Sequence, residues 1–526
     1  MRIFLKTRWK ECLIVLLLFA AVLRTGNLFA ALDYDEIWTL TYFSAREIRV
    51  IFTELSLPNN QVLNSLFVKL LFSENLPLWG IRLHSFIAGI LAVMLMIPVG
   101  IRLGRSRGSG FWSSFFLLVS APAVLYSQLA RGYELQLFFL LLYTWGLLYS
   151  SAEKWKIPAL GAVVTGGVCS ILALSTSVIY LSVITAGFFI LRPKFPGKAL
   201  TAVLGGGIIF ALLWYGINFH QFRTGQQWGT VISTHKEFFT FAFSTLDRLI
   251  PLLWCPFLVA GLLLMPRKTG GVLAGGIFLV LLTAVVTRGG GPRVYIPLVI
   301  PAALICGIGC DRLCRRLPRY AWGIAGAVLI CGTAGFYSSR SFWTPADWYA
   351  LFALGKSQSP QTLVIYSGTG GFPVMWNNRP GSIEDNAARI NEAELRQLFC
   401  FAAPGILNGV DEKFNEKQLA LKTGGKKFSG GILYDLERIS APADGDGVIL
   451  VSSSEEKSVD RAVFEEVAPC GTFLRLNIFF EEQTPGGPVN VIRGGIIRNA
   501  SLFNWGKLPE KMKLYRIKSG KGGTQP

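Results

Sequence analysis

Three short segments hold the residue types and spacings that could do chemistry. The first is LDYDEIW, residues 32–38, which sets Asp33, Asp35 and Glu36 directly after a long apolar run. Ionisable groups at the edge of a bilayer are costly and tend to serve a cavity or a reaction. A carboxylate there acts as a general base on a hydroxyl or amine. Asp35 and Glu36 together are also the pair that would hold a divalent cation such as Mg or Mn, and equally they suit a solvated helix exit. The second segment is YSQLARGYELQ, residues 126–136, with Arg131, Tyr133 and Glu134 at the rim of an apolar run. The planar donor fork of Arg suits phosphate oxygens, while Tyr and Arg are also common interfacial anchors. The third runs from Arg288 through three glycines and a proline to Arg293 and Tyr295. Bare glycine backbone between two arginines admits an anionic head group, and again an anchor is the plain alternative.

The elements that must position these residues are membrane helices. The 526 residues are 52% hydrophobic and only 16% charged, against about 25% charged in a soluble domain. A formal charge of +19 raises nucleic acid as a partner, so its distribution matters. Residues 1–337 hold 29 basic and 12 acidic residues, and 338–526 hold 22 and 20. Apolar runs of about 20 residues, long enough to cross a bilayer, fill the first part and are absent from the second. The pattern predicts eleven spans at 11–31, 78–101, 110–126, 134–150, 157–173, 177–191, 199–219, 246–265, 271–287, 293–310 and 321–338. The expected fold class is a polytopic α-helical membrane domain, 1–338, followed by an extracytoplasmic α/β domain, 339–526.

Basic residues set the orientation. The N-terminal segment and the loops after spans two, four, six, eight and ten hold 18 basic residues and three acidic ones, Glu11, Glu153 and Asp311. By the positive-inside rule these face the cytoplasm, which puts all three chemical segments and the tail outside. Most of the charge is therefore an orientation signal, and no nucleic-acid partner is expected. Residues 59–73 decide the parity: the run is short and contains Asn64 and Lys69, so it reads as a helix lying at the outer interface. Residues 45–57 read as a second one, making 32–77 a long, partly helical outer loop.

In the tail, strands are expected at Thr362–Tyr366, Ile432–Leu436, Val448–Val451, Thr472–Phe480 and Lys513–Ile517, with helices at 346–356, 387–400 and 455–467. Seven of nine cysteines lie in or beside spans and read as small packing residues. Cys400 and Cys470 leave an outer disulfide open. Three histidines without HExxH or CxxC give no zinc signature.

Several pieces resemble the GT-C glycosyltransferases, in the bacterial branch related to protein O-mannosyltransferases and lipid A aminoarabinose transferase. They are Arg24 inside the first span, DEIWTL at 35–40, PNNQVLNSLF at 58–67, LWGIRLHSFIAGILAV at 78–93, YSQLARGY at 126–133, PRVYIPLVIP at 292–301 and PADWYALF at 345–352. The resemblance covers roughly residues 1–350. It implies an inverting transfer of sugar from a polyprenyl-phosphate donor to an envelope acceptor (protein, lipid or polysaccharide) on the outer face of the bacterial inner membrane. Asp35 would be the base or the acid that orients the acceptor, with Glu36 beside it. Arg131 would offset charge on the leaving phosphate, and Tyr133, Arg293 and Tyr295 would be further phosphate or lipid contacts. Asn60, Gln61, Asn64, Arg82, His84 and Glu134 would line the pocket. Gln61 stands where relatives often have His. Leu129 stands where many have Glu, with Glu134 five residues on. A transporter or flippase for a lipid-linked substrate, and a non-catalytic scaffold of an envelope glycan or secretion system, are the alternatives.

Overall fold

The computed structural model describes residues 7–30, 32–44, 47–55, 60–72, 78–192, 197–225, 232, 234–287 and 291–343, with seven short strands beyond them. Two compact units result: Met1–Leu28 with Glu47–Trp343, and Phe29–Arg46 with Thr344–Pro526.

The first unit is helical. Its helices are α1 (Trp9–Leu23), α3 (Ile48–Thr53), α4 (Val62–Leu71), α5 (Leu83–Gly104), α6 (Arg107–Leu118), α7 (Ala121–Tyr126), α8 (Gly132–Tyr149), α9 (Lys156–Ala173) and α10 (Ser177–Leu191). They continue as α11 (Lys198–Ile217), α12 (Phe219–Gly225), α13 (His235–Leu249), α14 (Cys255–Leu264), α15 (Arg267–Thr287), α16 (Val299–Arg316) and α17 (Ala321–Trp343). Helix α2 (Tyr34–Trp38) belongs to the second unit and runs into a π-helical turn over Thr39–Ser44.

Among the described residues, six helices are long and apolar enough to cross a membrane, and seven if a bent pair counts as one span. The bent pair is α13 with Leu252–Leu264, angled by 78°. Where eleven plain spans were expected, several are modified by local chemistry. The first helix stops at Leu23 rather than 31, because Arg24 and the turns after it leave the helical path. The third is interrupted between α6 and α7, where Pro122 begins a new helix and cannot continue the old one. The eighth is short because α13 carries Thr234 as N-cap, with Glu237 answering it, and so starts as a separate polar helix. Both expected segments, 59–73 and 45–57, contain a helix, α4 and α3.

Helix α16 is the core of the bundle: its best apolar window is 89% buried, against 6% for α11. Small residues allow that. A Cβ at Gly309 would stand 2.4 Å from the Gly261 nitrogen, and one at Gly307 would stand 2.2 Å from that of Ser113. Backbones of α14, α16 and α6 thus meet directly, the usual way for helices to pack in lipid.

The six basic segments form a chain of contacts at one end. Arg107 lies 5.7 Å over the Trp9 ring and Arg102 5.5 Å over Tyr149. Arg192 donates to Ser151. Arg312 donates to Leu264 O at 2.7 Å. Asp311 accepts from Ser106 and Ser109 Oγ at 2.6 and 2.7 Å and pairs with Arg315.

Described residues of the tail are strands: β1 (Leu363–Tyr366), β2 (Gly447–Ser452), β3 (Phe464–Cys470), β4 (Glu482–Thr484), β5 (Gly487–Ile492), β6 (Gly495–Arg498) and β7 (Met512–Ile517). One sheet has order β1-β2-β7-β3, parallel between β1 and β2 and antiparallel elsewhere, and β4-β5-β6 form an antiparallel meander. Three expected strands coincide with β1, β2 and β7. The expected helix 455–467 is corrected in part: from Phe464 the chain is strand, paired with β7. Ile432–Leu436, Thr472–Phe480, 346–356, 387–400 and the Cys400–Cys470 pairing lie outside the described residues.

Candidate active site

Arg131 is the N-cap of α8, in extended backbone, and the residue is 2% exposed. Three consecutive peptide groups around it are each gripped by a side chain. Asn64 Nδ2 donates to Ala130 O at 2.9 Å. Ser85 Oγ donates to Arg131 O at 3.3 Å. Gly132 N donates to Gln61 Oε1 at 2.5 Å. His84 Nε2 lies 2.7 Å from Asn64 Oδ1, and the His84 ring stacks on Phe67 at 5.3 Å. The guanidinium sits 5.7 Å over the Tyr133 ring, which packs edge-on against Tyr126. A buried arginine with its backbone fixed on three sides is a preorganised cation, suited to meet a developing negative charge.

A second polar knot ties down the turn that follows α1. Gln128 Nε2 donates to Leu23 O at 2.8 Å, and its Oε1 accepts from Asn27 N at 2.9 Å. Arg82 Nη1 donates to Asn27 O and Leu28 O, both at 2.9 Å. Asn60 donates to Ile51 O and Glu54 O at 2.9 and 2.8 Å, closing the end of α3. Thus the expected pocket residues Asn60, Gln61, Asn64, Arg82 and His84 are present at this end, and their described bonds go to protein rather than into an open cleft. Glu134 is fully buried in the first turn of α8.

The third segment is a 3-10 turn, Pro292–Leu298, that packs against α8 and α13. Tyr295 is buried edge-on against Phe241 at 5.4 Å, Val294 O accepts from Tyr180 at 2.9 Å, and Arg293 is exposed.

In the second unit, Asp33 is the N-cap of α2 in extended backbone. Glu36 is fully buried, and its Oε2 accepts from Asp33 N at 3.0 Å. Thr39 Oγ1 donates to Asp35 O at 2.9 Å, while the Asp35 side chain stays partly exposed. The adjacent acids therefore differ: Glu36 is fully buried at the helix start, and Asp35 is half-buried. A π-helical turn after them is rare in proteins and common at functional sites. Among the described residues no three His, Cys, Asp or Glu come together as a metal-holding group.

Sequence reasoning passed over Ser85 and Gln128, the latter hidden inside YSQLARGY, where Arg131 drew attention. It also did not foresee that Arg24, at the C-cap of α1, is fully buried.

No protein-family model matches the chain, and no curated protein matches it. Among solved structures the chain is similar to ArnT from Cupriavidus metallidurans in the apo state, at 13% identity, covering 88% of this chain and 96% of that one, with a TM-score of 0.49. It is also similar to the same protein bound to undecaprenyl phosphate, at 11% identity over 99% and 100%, TM-score 0.45. A third is an oligosaccharyltransferase from Archaeoglobus fulgidus, at 12% identity over 68% and 59%, TM-score 0.40.

Proposed function

We propose that this protein is an integral-membrane glycosyltransferase of GT-C type that uses a polyprenyl-phosphate sugar donor. The observation that carries the reading is the fixing of Arg131: a buried guanidinium whose flanking peptide groups are held by Asn64, Ser85 and Gln61. It is joined by the sequence resemblance around residues 24–140.

In this reading the acceptor oxygen or nitrogen attacks the anomeric carbon. The bond from that carbon to the phosphate oxygen breaks with inversion, and polyprenyl phosphate leaves with the electron pair. Asp35 takes the acceptor proton, because it is the less buried of the pair. Glu36 holds the start of α2 rather than reacting. Arg131 offsets charge gathering on the phosphate. Tyr295 and Arg293 flank the lipid phosphate, and a divalent cation at Asp35 remains part of the test. The chain lies in the bacterial inner membrane with eleven spans, counting the short, interrupted and bent helices. The gathering of the six basic segments at one end supports a cytoplasmic N-terminus. The tail then forms an outer α/β domain that selects the acceptor.

The test is the purified full chain with radiolabelled polyprenyl-phosphate sugars and an envelope extract, with and without Mg or Mn. Label moving to an acceptor supports the reading. Label staying on the lipid with every donor, under conditions where the protein is folded, contradicts it.

A further inference from the structure

Three turns at one end of the helical unit carry exposed cations with no exposed acid among them. The α5–α6 turn holds Arg105 and Arg107, the α14–α15 turn holds Arg267 and Lys268, and the α16–α17 turn follows Arg315 and Arg316. All six are exposed. In residues 102–109, 262–270 and 309–320 the one acid is Asp311. It is buried, and its carboxylate is already engaged: Ser106 and Ser109 Oγ donate to it at 2.6 and 2.7 Å, and Arg315 pairs with it. The N-terminal basic segment differs, since Arg8 there has Glu11 at 3.3 Å.

Hydrogen bonds hold the three turns together. Asp311 of α16 grips Ser106, the residue between Arg105 and Arg107. One residue on, Arg312 Nη1 donates to Leu264 O at 2.7 Å, three residues before Arg267. Arg105 itself has left-handed backbone, with φ 60° and ψ 31°, at a helix end where glycine or asparagine is usual. The fold therefore gathers like charges on fixed backbone and keeps a cation where its residue type is disfavoured. Such a patch attracts anions.

The neighbouring surface says which kind. Leu262 and Leu263 at the end of α14 are 38% and 77% exposed, and Leu317 after α16 is 43% exposed. Trp9 lies 5.7 Å under Arg107, and the exposed Tyr320 lies 4.8 Å under Arg319. Trp and Tyr of this kind settle at head-group depth. Helices α5, α15, α16 and α17 are each long and apolar enough to cross a membrane, and each begins or ends at one of these turns. Cations bordered by apolar side chains match an amphiphile better than a free anion.

We propose that the three turns form a binding site for the head group of an anionic phospholipid, in the leaflet at this end of the bundle. Basic pockets between membrane helices suit head groups that carry more than one phosphate. The lipid phosphates offset the repulsion among the arginines and so clamp the helix ends that the turns join. The proposal rests on the membrane reading of the helices and not on sugar transfer.

The test measures the unfolding midpoint of the purified, delipidated full chain in detergent, so it stands or falls separately from the glycosyltransferase reading. Added cardiolipin should raise the midpoint by several degrees, and phosphatidylcholine should leave it nearly unchanged. High salt should remove most of the cardiolipin effect, because exposed charges are screened. The variant R267Q/K268Q/R316Q should start from the wild-type midpoint and lose most of the rise. The salt arm uses wild-type protein alone and so decides the matter even if that variant is unstable. No rise with cardiolipin, an equal rise with phosphatidylcholine or with inorganic pyrophosphate, or a rise that salt leaves intact overturns the proposal.

Discussion

His84 Nε2 lies 2.7 Å from Asn64 Oδ1, and the same Asn64 amide donates to Ala130 O, one residue before Arg131. The histidine therefore orients an amide whose other end positions the buried arginine. A lone histidine in an apolar helix is easily taken for a ligand. Here it is the outermost member of a polar chain that ends on backbone.

Asn64→Leu breaks that chain while keeping its volume. Small misplacements of a charge-stabilising group cost as much as about a hundredfold in rate. The expected outcome is a fall in kcat of about tenfold or more with donor KM little changed, and partial rescue by Asn64→Gln. Steady-state kinetics on the donor check it. An unchanged kcat removes Asn64 from the positioning of Arg131.

Gln61 accepts from the Gly132 N–H at 2.5 Å in a fully buried site. Gln61→Leu leaves that donor without its acceptor, worth about 1–3 kcal/mol. Thermal unfolding should rank wild type above Gln61→Leu.

Gly309 faces the Gly261 backbone, and a methyl there would stand 2.4 Å from its nitrogen. Gly309→Ala forces α14 and α16 apart, at a cost of about 1–3 kcal/mol. Gly323 has nothing within 4 Å of the equivalent point, so Gly323→Ala is the control. Unfolding midpoints in one detergent should separate the two variants.

The membrane helices were legible because burying backbone in lipid leaves the helix few rivals, and long apolar runs announce it. Chain breaks inside those runs were not. The stop at Leu23 depends on Gln128 taking its carbonyl, a partner 105 residues away. Helix α4 was readable as a short separate helix from Asn64 and Lys69 in a short apolar run. The chemical residue types were readable too, but not how they are spent. Adjacent Asp35 and Glu36 look alike in sequence, and only the backbone at Asp33 separates them. Residues 464–467 were misread as the end of a helix because their pairing with β7 is non-local.

Orientation has its own check. Single cysteines at Arg105 and Lys154 lie among the basic segments, and one at Arg293 lies with the candidate site. In a background without native cysteines, an impermeant maleimide added to intact spheroplasts should label Arg293→Cys alone. Labelling of the other two instead would invert the topology and move the site to the cytoplasm.

The central claim rests on the division of labour between the two neighbouring acids. Sugar transfer from the polyprenyl-phosphate donor should be measured for Asp35→Asn and Glu36→Gln in the full chain, beside each variant's unfolding midpoint. The account predicts that Asp35→Asn abolishes transfer without lowering the midpoint, while Glu36→Gln lowers the midpoint and leaves residual transfer. Wild-type turnover by Asp35→Asn would contradict it.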